Sequence, residues 1–127
     1  MKQIENWREG LATDIIANNT GFNNEEINFL VQRLLNRIIF LRICEDREIE
    51  KYETLKQIKS YDELKALFVR SDRKYNSGLF DFIEDNFSLN IKINPGILIS
   101  IFNELYYPKS PYDFSVVDPA ILSQIYE

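Results

Sequence analysis

The sequence predicts an all-α protein, an irregular bundle of five or six helices. Three observations carry this expectation. Apolar residues recur at helical spacing in one segment after another, as on the buried stripe of an amphipathic helix. Start signals stand before four of these segments: Asn23 with Glu26, Ser60 with Glu63, Asn94-Pro95 and Asp118-Pro119. The stretch from about 24 to 47 is apolar on two faces, which suits a helix enclosed by others.

Residues 3–18 place Ile4, Trp7, Leu11 and Ile15 on one stripe, and Asn19, Thr20 and Gly21 stop that helix. Asn23 then reads as an N-cap, with its capping-box glutamate three residues on. In the long helix that follows, Ile27, Leu30, Val31, Leu34, Leu35, Ile38 and Leu41 form the main stripe. Ile39, Phe40 and Ile43 add a second face. The segment 49–59 keeps Ile49, Tyr52, Leu55 and Lys59 at helical spacing in a highly charged region, so a short helix and a solvated connection are both open.

Ser60 opens another helix, with Leu64, Leu67 and Phe68 facing inward. The polar run from Ser71 to Gly78 reads as a loop, after which Leu79, Phe80, Phe82 and Ile83 re-enter the core. Residues 88–94 have room for one short extended piece, because Leu89, Ile91 and Ile93 alternate. Asn94-Pro95 starts the next helix, lined by Ile97, Leu98, Ile101, Phe102 and Leu105. Pro108 and Pro111 enforce an extended loop. Asp118-Pro119 starts a last helix with Ile121, Leu122 and Ile125.

A length of 127 residues fits one domain with a real core, so 1–127 is expected to be a single helical domain. The last helix has no C-cap, which reads as a piece of a larger chain. One cysteine excludes an intrachain disulfide, and Cys44, in the apolar helix, reads as an inert core residue. The absence of histidine removes the commonest general base and the commonest transition-metal ligand. No apolar run is long enough for a membrane span and no signal-peptide pattern opens the chain, so a cytoplasmic setting is expected. The net charge of −5 argues against an autonomous nucleic-acid binder, which usually carries a basic excess.

Four segments resemble a known family. Leu34-Leu35-Asn36-Arg37-Ile38-Ile39-Phe40-Leu41-Arg42-Ile43-Cys44-Glu45-Asp46-Arg47 resembles the LLNRLIFLRFCEDRG segment of bacterial type IIG restriction–modification enzymes. Trp7-Arg8-Glu9-Gly10-Leu11-Ala12 resembles that family's WRxxLA helix. Lys74-Tyr75-Asn76-Ser77-Gly78-Leu79-Phe80 resembles its KYNSGLF loop. Ile121-Leu122-Ser123-Gln124-Ile125-Tyr126-Glu127 resembles its ILGxIYE helix, with Ser123 for the usual Gly. The matches occur in the family's order and cover almost the whole chain.

The resemblance implies the helical connector that lies N-terminal to the adenine-N6 DNA methyltransferase domain. In such enzymes a nuclease domain precedes the connector, and a methyltransferase and a target-recognition domain follow it. The expected partners are these adjacent domains and, through the parent enzyme, DNA; no membrane is involved. The parent would use S-adenosylmethionine, and Mg for cleavage. The connector itself would hold no catalytic, cofactor or metal residue. The alternative reading is a free-standing helical protein-interaction module.

The residues themselves agree with a non-catalytic piece. Asn94-Pro95-Gly96-Ile97 superficially matches the Asn-Pro-Pro-Tyr/Phe motif of adenine-N6 methyltransferases, but lacks the aromatic that would stack on a flipped base. Helix capping accounts for it. None of the four glycines forms the GxG arrangement of a cofactor loop. Glu63-x-Lys65 matches the tail of a nuclease motif by chance, because it follows a helix N-cap instead of a strand.

Two groups remain as candidates. Arg42, Glu45, Asp46 and Arg47 form a charge cluster at the end of the apolar helix, with Arg42 and Asp46 spaced as an ion pair. It is expected to be a structural network, since arginines depress the basicity a general base needs. Arg70, Arg73, Lys74, Tyr75 and Asn76 form a basic loop in an otherwise acidic chain, with groups suited to DNA backbone contact. Read without DNA, the same stretch is a solvated loop whose Tyr75 packs back on the core.

Overall fold

The computed structural model describes the backbone of residues 2–75 and 91–106 and the side chains of 4–71 and 91–106. Four α-helices lie in this part: α1 (Lys2–Asn18), α2 (Asn24–Asp46), α3 (Tyr61–Tyr75) and α4 (Pro95–Glu104). A single 3-10 turn, Leu55–Gln57, sits between α2 and α3. No strand occurs among the described residues. The fold class is thus all-α, with four helices found where five or six were expected. The expected segments at 79–83 and 118–127 lie outside the described residues.

Helix α1 buries the stripe read from the sequence: Ile4, Trp7, Leu11 and Ile15. Gly21, at φ 87°, takes the left-handed turn that separates α1 from α2. The capping box of α2 is complete. Asn23 Oδ1 accepts the Glu26 amide at 2.8 Å, and Glu26 Oε1 accepts the Asn23 amide at 3.0 Å.

Along α2 the burial widens from a stripe to nearly the whole circumference. Ile27, Leu30, Val31, Leu34 and Leu35 are buried, and from Arg37 to Glu45 only Phe40 is partly exposed. This is the enclosed helix that its two apolar faces predict. Arg37 is fully buried, its guanidinium 5.5 Å from the centre of the Phe68 ring on α3.

The connection 47–60 is not an α-helix. Arg47 caps α2 through its amide to the Ile43 carbonyl, and the chain turns back so that the Ile49 and Glu50 amides both reach the Cys44 carbonyl. Glu48 and Glu53 adopt left-handed φ of 62° and 66°. For residues with a Cβ this costs roughly 1–2 kcal/mol each, so something must hold the turn closed.

Helix α3 begins as expected at Ser60, whose Oγ accepts the Glu63 amide at 3.2 Å. Glu63 Oε1 reaches one residue further back than a capping box requires, to the Lys59 amide at 3.1 Å. The expected loop from Ser71 is corrected: α3 continues to Tyr75. Ser71 is buried and donates its hydroxyl to the Leu67 carbonyl at 2.8 Å, extending the inward face of Leu64, Leu67 and Phe68 by one turn. Polarity alone misled here, because Asp, Arg and Lys are tolerated in a helix whose inner face stays packed.

Of the extended piece expected over 88–94, residues 91–94 are described and form no strand. Ile91 and Ile93 are buried while Lys92 and Asn94 are exposed, as the alternation requires. Its backbone is satisfied by side chains in and just after α1. The Asn19 amide group donates to the Lys92 carbonyl at 2.8 Å and accepts the Lys92 amide at 2.8 Å. Asp14 Oδ2 accepts the Asn94 amide at 2.9 Å.

Helix α4 follows, capped by Asn94 Oδ1 on the Gly96 amide at 2.8 Å, with Pro95 at its start. Leu98, Ile101, Phe102 and Leu105 face the core. At Gly10 helix α1 comes close to α4, where a Cβ would stand 2.9 Å from Ile97 Cδ1. Trp7 Nε1, less than a turn before Gly10, donates to Glu104 Oε2 at 3.1 Å, at the end of α4.

Candidate functional site

The densest grouping of charge among the buried residues lies at the C-terminal end of α2. Residues 42, 45 and 46 share one helix face by their three- and four-residue spacing. Arg42 and Glu45 are buried, and Asp46 is partly so. The three are held by different partners. Arg42 pairs with Asp46 through Nη1. Its Nε donates to the Leu105 carbonyl at 3.0 Å, just past the end of α4. The guanidinium also lies 4.4 Å from the Tyr106 ring centre and 5.2 Å from that of Tyr52.

Glu45 gathers donors from two other stretches of chain. Its Oε1 accepts the Tyr106 hydroxyl at 2.6 Å and the Glu53 amide at 2.8 Å. Its Oε2 accepts the Leu55 amide at 3.1 Å. The carboxylate therefore holds closed the turn that contains left-handed Glu53. Lys56 Nζ, from the 3-10 turn that follows, lies 5.6 Å from the Tyr106 ring centre.

Burial pushes the Glu45 carboxyl above the ordinary value of 4.5. The Tyr106 hydroxyl, the Leu55 and Glu53 amides and the Arg42 charge pull it back without cancelling that effect. Tyr106 is pushed strongly upward, first by burial and then by the hydrogen bond and charge of Glu45. The phenol thus stays protonated and donates. Such a group is neither a nucleophile nor a base at neutral pH. A carboxylate of raised affinity for protons is the kind of group that serves as a base in a cleft. Here both of its oxygens are engaged by the chain's own donors, and the arrangement joins α2, the 47–57 connection and the end of α4.

Of the residues singled out in the sequence, the structure brings Arg42, Glu45 and Asp46 into this node. Arg47 stands outside it, exposed, with its backbone capping α2. Arg70 is exposed on α3. Positions 73–75 belong to the last turn of α3, so the stretch expected as a basic loop is helical up to Tyr75. Helical register sets positions 70, 73 and 74 on one side of that helix. Asn76 lies outside the described residues. Glu63 is exposed in the first turn of α3, and Lys65 pairs with Asp62 at 3.2 Å.

Sequence reasoning missed Tyr106, Tyr52 and the two amides that Glu45 accepts. Tyr106 had a signal: it lies four residues after Phe102, so it continues the apolar face of α4. Elsewhere, an open groove of about 700 Å³ between α1 and α4 is lined by Glu9, Gly10, Thr13, Asp14, Asn94 and Ile97 among others. Among the described residues, no group of three or more His, Cys, Asp or Glu is placed to hold a metal ion. No helix there is long and apolar enough to cross a membrane.

Along its whole length the chain is similar to a region of a protein that combines a type II restriction enzyme with a methyltransferase. That relative is the type II restriction enzyme and methyltransferase RM.Eco57I of Escherichia coli, 43% identical over 133 aligned residues. The resemblance read from four segments therefore holds from end to end, and to a type IIG enzyme. The match takes in 100% of this chain and 13% of the relative, so the chain spans a small part of that protein's length. No family model matches the chain. No solved structure matches it.

Proposed function

We propose that this chain is the helical connector of a type IIG restriction–modification enzyme, one that couples an adenine-specific, S-adenosylmethionine-dependent DNA methyltransferase to an endonuclease. The carrying observation is the 43% identity that runs over all of this chain yet takes in only 13% of RM.Eco57I. The domain's task is to fix the distance and orientation of the catalytic domains on either side. The geometry suits that task. The side chains of Trp7, Asp14, Asn19, Arg42 and Glu45 grip the 91–106 stretch, tying it to α1 and α2.

A contact with the DNA backbone is a second part of the same reading. Helical register aligns the cationic positions 70, 73 and 74, and phosphate contacts carry no sequence information. The test is the coding sequence beyond Glu127. An Asn-Pro-Pro-Tyr/Phe motif downstream, with adenine-N6 methylation by the full-length product, supports the connector. A stop codon directly after Glu127, with the 127-residue product binding a protein partner, supports the free-standing module instead.

A further inference from the structure

One buried carboxylate fastens two stretches of chain that are far apart in sequence. On one side lies the connection between α2 and α3. Its Glu53 and Leu55 amides donate to Glu45 Oε1 and Oε2 at 2.8 and 3.1 Å. This turn is strained, with Glu48 and Glu53 at left-handed φ of 62° and 66°. On the other side lies the end of α4. The Tyr106 hydroxyl donates to Glu45 Oε1 at 2.6 Å, and the Leu105 carbonyl accepts Arg42 Nε at 3.0 Å. The two sides also touch directly, through the edge-on contact of Tyr52 with Tyr106 at 5.5 Å.

Sharing makes the two attachments depend on each other. While both are closed, Glu45 is 3% exposed and the chain's donors stand in for water. Burial still pushes its carboxyl above the ordinary value, so these donors do not fully replace the lost hydration. Once either stretch lifts, water reaches the carboxylate. The bonds left on the other side then compete with that water and hold less firmly than in a dry site. Opening one side thus eases opening of the other, which is how local segments merge into one cooperative unit.

We propose that Glu45 is a latch that makes the 47–57 connection and the end of α4 open and close as one unit, although α3 lies between them in the chain. A displacement of the chain at Tyr106 is then felt in the connection, and the reverse. The latch does not depend on the connector reading.

The experiment is hydrogen–deuterium exchange with peptide mapping, on the intact polypeptide made from its own coding sequence. A variant is placed on each side of the latch and the effect is read on the other. Tyr106→Phe removes the bond to Glu45 but keeps the ring beside Tyr52 and Arg42. It should speed exchange of the Glu53 and Leu55 amides about fivefold or more, the lower end of ordinary coupling between sites. Glu53→Gly is the converse, and it serves where the first variant folds poorly. Glycine relieves the left-handed backbone and keeps the amide that Glu45 accepts. The change also gives up the half-exposed ion pair with Lys56, which is worth little. It should slow exchange of the Leu105 amide and the last turn of α4 about twofold or more. Residues 30–38 in the middle of α2 report global opening and should not change with either variant. If each change acts only on its own side, the two stretches open separately and the latch is wrong. If residues 30–38 change by the same factor as the far side, the opening is global and the latch is wrong as well.

Discussion

The Tyr106 hydroxyl donates to Glu45 Oε1 at 2.6 Å, joining residues 61 apart in sequence. Tyr106→Phe keeps the ring, and with it the packing against Arg42 and Tyr52, but removes the donor. A buried carboxylate then loses one of its three partners, at about 1.5–3 kcal/mol. Chemical denaturation of both proteins measures it. An unchanged midpoint refutes the view that this bond ties the end of α4 to α2.

Glu45 gives stability a pH dependence of defined sign. Its folded-state pKa is raised above the 4.5 of the ordinary carboxyl, so the folded chain holds the proton more tightly than the unfolded chain. The contribution is fully present below pH 4.5 and is lost as pH rises through the higher folded value. From pH 7 down towards 4.5, the urea midpoint of the wild type should therefore rise relative to Glu45→Gln. The amide also leaves one of the Leu55 and Glu53 amides facing a donor, so the variant starts lower at pH 7. Parallel pH profiles for the two proteins would contradict the assignment.

Arg42→Ala leaves the Leu105 carbonyl without its donor and Asp46 without its cation. Removing one member of a buried ion pair costs about 3–5 kcal/mol. For a domain of this size that lowers Tm by about ten degrees or more. Arg42→Lys keeps the charge but cannot serve Leu105 and Asp46 from one planar fork, and it should fall between. A drop of only a degree or two for Arg42→Ala, together with lost activity of the full-length enzyme, would place Arg42 at a functional surface.

Gly10 and Ile97 should be coupled. Alanine in a helix interior gains about 0.5–1 kcal/mol over glycine, but the Gly10→Ala methyl would meet Ile97 Cδ1 at 2.9 Å. Ile97→Val removes that terminal methyl. In a double-mutant cycle, Gly10→Ala should stabilise the Ile97→Val background more than the wild type. Strict additivity would show that α4 shifts freely away from α1.

The cationic positions of α3 should act on DNA without regard to sequence. Replacing Arg70, Arg73 and Lys74 by alanine in the full-length enzyme should weaken binding alike on cognate and random duplexes. For every phosphate no longer neutralised, the slope of log K against log salt flattens by about 0.9. Unchanged affinity and slope would leave this face of α3 merely solvated.

How much of this was legible in the sequence depends on whether partners are close in the chain. Stripes and caps are local, so α1, the capping box of α2 and the Asn94-Pro95 start of α4 read directly from spacing. The end of α3 did not, because the burial of Ser71 is decided by packing and its hydroxyl bond to Leu67 is invisible in a polar run. At the candidate site the i, i+4 pair of Arg42 and Asp46 was readable. The partners of Glu45 were not, since two are backbone amides and the third is Tyr106, and no local pattern links them. Lys92 shows the same limit: the strand-like alternation was visible, but not that an asparagine amide would stand in for a neighbouring strand.

The reach of these ties bears on how the chain is made. Trp7 waits for Glu104, Asp14 for Asn94, Asn19 for Lys92 and Glu45 for Tyr106. The 73 residues added after Asn19 to reach Lys92 take about 4–15 s to synthesise at about 5–20 residues per second. During that interval α1, and α2 once it is made, lack the segment that pins them. Contacts of this range slow folding even in helical proteins, whose usual speed comes from local pairing. The nascent chain is therefore open to chaperone capture until the 91–106 stretch arrives, and variants that weaken Asn19 or Glu45 should lose yield in the cell before they lose stability in the tube.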